Sequence, residues 1–260
     1  MALVTHLIDT QGIVTLTLND PDNLNAMSDE MAQEFSAAIS SLRSNKGVRV
    51  VILTGSGKAF SAGGHLKMLD GKRALNGEQN RLSMKVFYDS FLCILELEVP
   101  LIAALNGAAI GAGLCLACAC DVRIASEDAR LGFTFLKLGL HPGMGATFLV
   151  PRIVGRSVAT ELLLTSRVIS SNEALQVGLV SKVCPRGTVM QEAQRVAEEI
   201  LACGPEASAQ LLETMRGDLS LLPLALEREA LCQSINYSGS EFAEGLAAIK
   251  EKRSPKFLKA

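Results

Sequence analysis

Two glycine-bearing stretches hold the residues best suited to chemistry: Phe60-Ser61-Ala62-Gly63-Gly64-His65-Leu66 and Asn106-Gly107-Ala108-Ala109-Ile110-Gly111-Ala112-Gly113. Glycine and alanine at such places let a ligand oxygen come within ~3 Å of a backbone N–H, which larger side chains would obstruct. Each stretch follows a strand-like run, Val48–Thr54 and Val99–Leu105, and the second leads into Leu114–Ala119, a small apolar segment that reads as a buried helix. A helix start there would add its partial positive charge. Together the stretches read as two halves of an oxyanion hole, a device for holding negative charge on the carbonyl oxygen of a thioester. Either one alone reads as a glycine turn that lets a helix pack on a sheet.

The elements that must position these loops follow from periodicity. Gly12–Leu18 alternates like a strand, Val50–Thr54 and Leu101–Leu105 continue the strands, and Val122–Ala125 adds another. Ser28–Leu42 carries a helical pattern with Ser28 as its N-cap. Residues 71–81 are polar and aperiodic, which predicts a mobile segment beside the site. From Met190 onward the pattern is helical, with Val196–Leu201 and Ala225–Ile235 as its clearest pieces. The alternation predicts an α/β architecture with a boundary near residue 195.

Composition narrows the class. With 260 residues, 48% of them apolar, the chain can bury one substantial core, and 4% aromatics with no tryptophan mean that Leu, Ile, Val and Ala build it. A formal charge of −2 offers no electrostatic attraction for nucleic acid or an anionic membrane. No apolar run approaches the ~20 residues of a bilayer span, and the start Met1–His6 lacks the basic and apolar parts of a secretory signal, so the expected compartment is the cytoplasm. Seven cysteines, an odd number, read as reduced core residues. Cys115 and Cys118 have a Cys-x-x-Cys spacing, but no second pair or histidine cluster follows, so no metal site is expected.

Six segments in order carry a resemblance across nearly the whole chain: Asn19–Met27, Ala59–Leu66, Asn106–Asp121, Gly139–Thr147, Ala174–Val180 and the basic tail Lys250–Phe257. They resemble the crotonase superfamily, also called the enoyl-CoA hydratase/isomerase superfamily. The resemblance implies a spiral of ββα turns over residues 1–195 and a C-terminal helical region over 196–260 used in assembling homotrimers or hexamers. It implies that the N–H groups of Gly64 and Ala112 polarise a thioester carbonyl, flanked by Gly63, Leu66 and Gly111. Coenzyme A would enter as part of the substrate, with no separate cofactor. Its adenine would lie near the backbone of Leu24 and Ala26, and Lys252 would touch a phosphate. Where the family often has a basic residue in the early loop, this chain has Asp20, Asp22 and Asn23, which repel phosphate. An acyl group on a carrier protein's phosphopantetheine therefore competes with a free acyl-CoA.

The chain departs from the hydratase pattern at both glutamate positions, which are Cys115 and Phe135 here. A hydratase needs a base to activate water and an acid to protonate carbon, each worth ~10²–10⁴-fold in rate. His65 is the first substitute, since its ring titrates near neutrality, although bracing the loop is an equal reading. His141 would orient the Pro142-Gly143 turn; Lys67 and Asp70 are usable groups on the helix after the first loop, where solvent exposure is the ordinary explanation, and Tyr237, Ser238 and Glu241 lie in the terminal region without a sequence-assigned place. Thr134 and Phe135 make an apolar wall. That wall suits loss of CO₂ from a carboxyacyl thioester, and Phe135 through Pro151 is locally similar to decarboxylases of polyketide β-branching. Three functions stay open: a hydratase-type lyase or isomerase with displaced acid/base groups, a decarboxylase of a CoA- or carrier-bound thioester, and a noncatalytic thioester-binding subunit.

Overall fold

A computed structural model describes residues 2–257. The chain runs through β1 (Val4–Ile8), β2 (Ile13–Leu18), α1 (Asp29–Ser44), β3 (Val50–Gly55), β4 (Ala59–Ser61), α2 (Leu66–Gly71) and α3 (Gly77–Leu92). It continues through β5 (Leu101–Leu105), β6 (Ala108–Ile110), α4 (Ala112–Cys118), β7 (Val122–Ser126), β8 (Arg130–Gly132) and α5 (Ala146–Thr165). The remainder is β9 (Val168–Ser170), α6 (Ser171–Gln176), β10 (Lys182–Cys184), α7 (Val189–Leu201), α8 (Pro205–Arg216), α9 (Leu222–Asn236) and α10 (Ser240–Lys250).

These strands form two sheets, ordered β1-β2-β3-β5-β7-β10 and β4-β6-β8-β9. The pairs β3/β4, β5/β6 and β7/β8 each give one strand to each sheet, and helical segments follow them: the expected ββα spiral. Within the larger sheet only β1 is antiparallel; β2, β3, β5, β7 and β10 run parallel. β3 and β5 are buried at every position, as continuous apolar strands covered on both faces must be.

One face of the sheet packs on α7 through Val50, Ile52, Ile102, Ala104 and Ile124 against Val189, Ala193 and Ala197. The opposite side chains, including Val51, Leu53, Ala103 and Leu105, belong to the main core with α1, α3 and α9. Residue 195 thus lies inside α7, a helix that covers the sheet, so the expected boundary cuts an element of the spiral's own core. No helix among the described residues is long and apolar enough to cross a membrane.

Ser28 caps α1 by accepting the Met31 N–H at 3.2 Å, as its spacing predicts. Residues 71–81 differ from expectation. A 3-10 turn at Lys72–Ala74 leads into α3, which starts with a reciprocal capping box between Asn76 and Gln79. Lys72 is itself buried, with its ammonium on the Ser83 hydroxyl. Local polarity here reflects helix capping, a signal that composition alone merges with loop.

Candidate active site

The first glycine loop is fastened to the early loop by one buried side chain. Asn25, in left-handed backbone at φ 54° and fully buried, accepts the Asp20 N–H at 2.8 Å and donates to the carbonyls of Ser56 and Ala59 at 2.9 and 2.8 Å. The Ser61 hydroxyl donates to the Asn25 carbonyl at 2.7 Å and accepts the Gly63 N–H at 3.1 Å. Backbone pairing then runs like a parallel strand: Ala62 N–H to Leu24 O, Met27 N–H to Gly63 O, His65 N–H to Met27 O. In such a pairing the flanking residues bond the partner chain, and Gly64 between them directs its N–H the other way. Among the described residues no oxygen accepts it.

The second loop reaches the same place from the next turn of the spiral. Gly111, at φ 53° and ψ −121°, donates to Gly132 O at 2.8 Å and turns the chain into α4. Ala112 is the first residue of that helix, so its N–H has no acceptor one turn earlier. The two loops touch at Gly63, whose φ is +86°. A Cβ there would stand 2.6 Å from Ile110 O and 3.5 Å from Ala112 N, so only glycine permits the approach.

Gly64 and Ala112 both line a cavity of ≈ 120 Å³. Its lining includes Ala62, Gly63, Gly64, Leu66, Gly111, Ala112 and Phe135, together with Met84 and Phe87 of α3 and Ile249 of α10. Among the described residues no charged side chain lines it. Its polar side chains are Thr134, Tyr88, Gln233 and Tyr237. The phenols of Tyr88 and Tyr237 donate to Gln233 Oε1 at 2.8 and 3.1 Å, and Gln233 Nε2 donates to His141 O at 2.7 Å.

Behind this trio, on the same helix α9, Glu229 is fully buried. Its carboxylate accepts the N–H groups of Gly145 and Thr147, each at 2.8 Å, and the Thr147 hydroxyl at 2.6 Å. Burial nevertheless outweighs those three donors and pushes its pKa up to about 7. Burial likewise holds Tyr88 and Tyr237 well above the usual phenol range.

The other residues singled out by sequence fall in distinct places. Cys115 is fully buried inside α4, and burial drives its thiol well above the ordinary value, so it stays neutral. Phe135 sits on the cavity wall. His65 lines an outer depression with Asp20, Ser28, Glu30 and Lys67, and is not among the residues lining the cavity. His141 is half-buried, with Nδ1 2.7 Å from Pro142 O, and burial lowers its pKa. It is not among the residues lining the cavity, and its carbonyl accepts from Gln233 Nε2. The carbonyl of Leu24 is engaged by Ala62, whereas Ala26 donates its N–H to Asn23 O. Lys252 is exposed beyond α10, whose last turn supplies Ile249 to the cavity and Lys250 to an ion pair with Asp70 at 2.9 Å.

Sequence reasoning missed Tyr88, Gln233 and Glu229. A signal existed for the last two: Glu229, Gln233 and Tyr237 recur every fourth residue on the helix face that buries Leu222, Leu226 and Ala230. Polar groups on a buried stripe need partners. Tyr88 lay 145 residues from its partner Gln233, with nothing local to join them.

Residues 9–260 match the family model described as enoyl-CoA hydratase/isomerase. The chain belongs to that family. It is 36% identical to a putative enoyl-CoA hydratase of Thermus thermophilus, over 94% of this chain and 97% of that one. It is 34% identical to a crotonyl-CoA hydratase of Syntrophomonas wolfei, over 95% of this chain and 94% of the relative. Among solved structures, an enoyl-CoA hydratase from Mycobacterium avium subsp. paratuberculosis superposes with a TM-score of 0.86 at 30% identity, covering 99% of both chains.

Proposed function

We propose that this family member processes acyl thioesters, binding the thioester carbonyl oxygen between the N–H groups of Gly64 and Ala112 and stabilising the enolate that forms on it. The observation that carries this reading is the pair of backbone donors without acceptors at Gly64 and Ala112, two residues that line one cavity with no charged side chain among the described residues. Donors fixed by the backbone need no reorganisation as charge develops on oxygen, so they favour the enolate over the ground state. Coenzyme A enters as part of the substrate, with Leu24, Ala26 and Lys252 on its path. With Cys115 buried and neutral and Phe135 apolar, water activation does not come from those two positions.

A second reading, decarboxylation of a carboxyacyl thioester, gains from the same absence of charge on the cavity wall. A carboxylate held there without a cation loses its solvation, and the electron pair released with CO₂ passes into the thioester enolate. Apolar side chains exposed on the C-terminal helices, Leu211 and Met215 on α8 and Leu224 and Ile235 on α9, support assembly into trimers or hexamers.

Mass spectrometry of enoyl and carboxyacyl thioesters, each offered on CoA and on a carrier protein, tests both readings. Conversion of an enoyl or carboxyacyl thioester, lost on Ala112→Pro, supports the oxyanion site and names the reaction. No conversion together with no binding of any thioester overturns it.

A further inference from the structure

Helix α9 grips the turn between Leu140 and Thr147 along one face. Glu229, Gln233 and Asn236, spaced four and three residues apart, all bond to the turn's backbone. Asn236 Oδ1 accepts the His141 N–H at 2.8 Å, and Gln233 Nε2 donates to His141 O at 2.7 Å. At the far end the Glu229 carboxylate accepts the N–H groups of Gly145 and Thr147 together with the Thr147 hydroxyl. Between these anchors the Gly143 backbone packs on polar tips, since a Cβ there would stand 2.4 Å from the Tyr88 hydroxyl and 2.7 Å from Gln233 Nε2. The grip holds strain. Met144 is buried in left-handed backbone at φ 60°, a conformation that disfavours any residue with a Cβ. Leu140 and Met144, both on this turn, line the cavity.

Glu229 is the one anchor whose charge can change, and it fastens the two N–H groups that follow Met144. As a carboxylate it only accepts, so all three donors are satisfied at once; a proton turns one acceptor into a donor and weakens the bonds that remain. We infer that Glu229 is a positioning residue, whose carboxylate holds Leu140 and Met144 in the cavity wall and whose protonation releases that wall and weakens binding of the acyl group. This rests on the thioester reading above and adds a proton-controlled element to it. No cation acts on Glu229 among the described residues. The titratable groups that face it are Tyr88 of α3 and Cys115 of α4, and burial keeps both neutral. The start of α5 brings only Gly145 and Thr147, and on α9 itself Glu227 is paired with Arg81 and Lys85. His141, on the same turn, has its ring on Pro142 O, and burial lowers its pKa.

Calorimetric titration of the full-length protein with hexanoyl-CoA and with free CoA, at pH values from 6 to 8, tests the inference. Free CoA carries the same titrating phosphate and no acyl group, so the ratio of the two Kd values isolates the cavity. With the carboxyl titrating near 7, its ionised fraction falls about tenfold from pH 8 to pH 6, and the advantage of hexanoyl-CoA over CoA should fall by the same factor. In Glu229→Gln the advantage should be equal at every pH. Thr147→Val offers a second handle if the glutamine variant does not fold. It removes one donor from the carboxylate, so the midpoint of the dependence should move to higher pH. An advantage that does not vary with pH in the wild-type protein, a dependence that persists in Glu229→Gln, or a midpoint unmoved in Thr147→Val overturns the inference while the thioester reading stands. Hexanoyl-CoA that binds no better than CoA at any pH overturns both.

Discussion

The two polar contributions to the cavity are built on opposite principles. The loops after β4 and β6 contribute backbone N–H groups, positioned by Asn25, Ser61 and the close approach of Gly63, with side-chain identity at the donors almost irrelevant. Helices α3 and α9 contribute side chains whose chemistry is everything: Tyr88, Gln233 and Tyr237, with Glu229 behind them. On the proposed reading, backbone donors recognise what every thioester shares. Side chains recognise what distinguishes one acyl group from another, so one wall can stay fixed in a family while the other changes.

That division sets the largest expected effect. Because neither Cys115 nor Phe135 supplies a carboxylate, hydration of crotonyl-CoA should run at least ~10⁴-fold below an ordinary hydratase, the combined worth of a lost base and a lost acid. Absorbance of the enoyl thioester, followed with purified protein, measures it. A rate typical of a hydratase would show that the side-chain wall contains acid/base groups as effective as the glutamates.

On the backbone wall, Ala112→Pro removes one N–H at the first helical position, where proline's fixed φ is tolerated. Turnover of whichever thioester is the substrate should fall by about 10²–10³-fold, the range for loss of one oxyanion donor. An unchanged melting temperature would assign the loss to the site. Full activity in a correctly folded Ala112→Pro protein would remove Ala112 from the chemistry.

The contrast between the walls also explains what could be read in advance. The two glycine loops were legible as strand, turn and helix because each is contiguous, with its strand, its glycines and its helix inside about a dozen residues, and the ββα order followed from the same runs. The facing wall joins Tyr88 to Gln233 across the chain, and only packing of α3 on α9 brings them together. The segment at 71–81 was misread for a related reason: the capping pair Asn76 and Gln79 is polar because it starts a helix. Residue 195 marked a change in pattern but no change in packing, since α7 covers the sheet that precedes it.

Glu229 gives the facing wall its own pH dependence. Its pKa rises from 4.5 to about 7 on folding, so the folded protein holds this proton more tightly than the unfolded chain. The associated stability is fully present below pH 4.5 and is lost as pH rises through about 7, a change of about 3 kcal/mol. Glu229→Gln keeps an acceptor oxygen for the start of α5 and removes the titration. The difference in urea-unfolding free energy between wild type and Glu229→Gln should therefore shift across that window in favour of the variant. A constant difference would show that Glu229 does not change its proton affinity on folding.

The smallest effect is expected at His65, which joins neither wall. Its N–H is committed to Met27 O, and the residue lines the outer depression beside Ser28, Glu30 and Lys67. Removal of a working general base costs ~10²–10⁴-fold, so a ring outside the cavity should change kcat by less than about threefold in His65→Gln. Any change should appear in KM, because the outer depression adjoins the early loop through Asp20. The pH–rate profile should keep both its limbs. Loss of a limb near the imidazole range together with a hundredfold fall in single-turnover rate would bring His65 into the chemistry. The backbone wall would then hold a titrating side chain of its own, and the separation of common recognition from specific chemistry would fail at that residue.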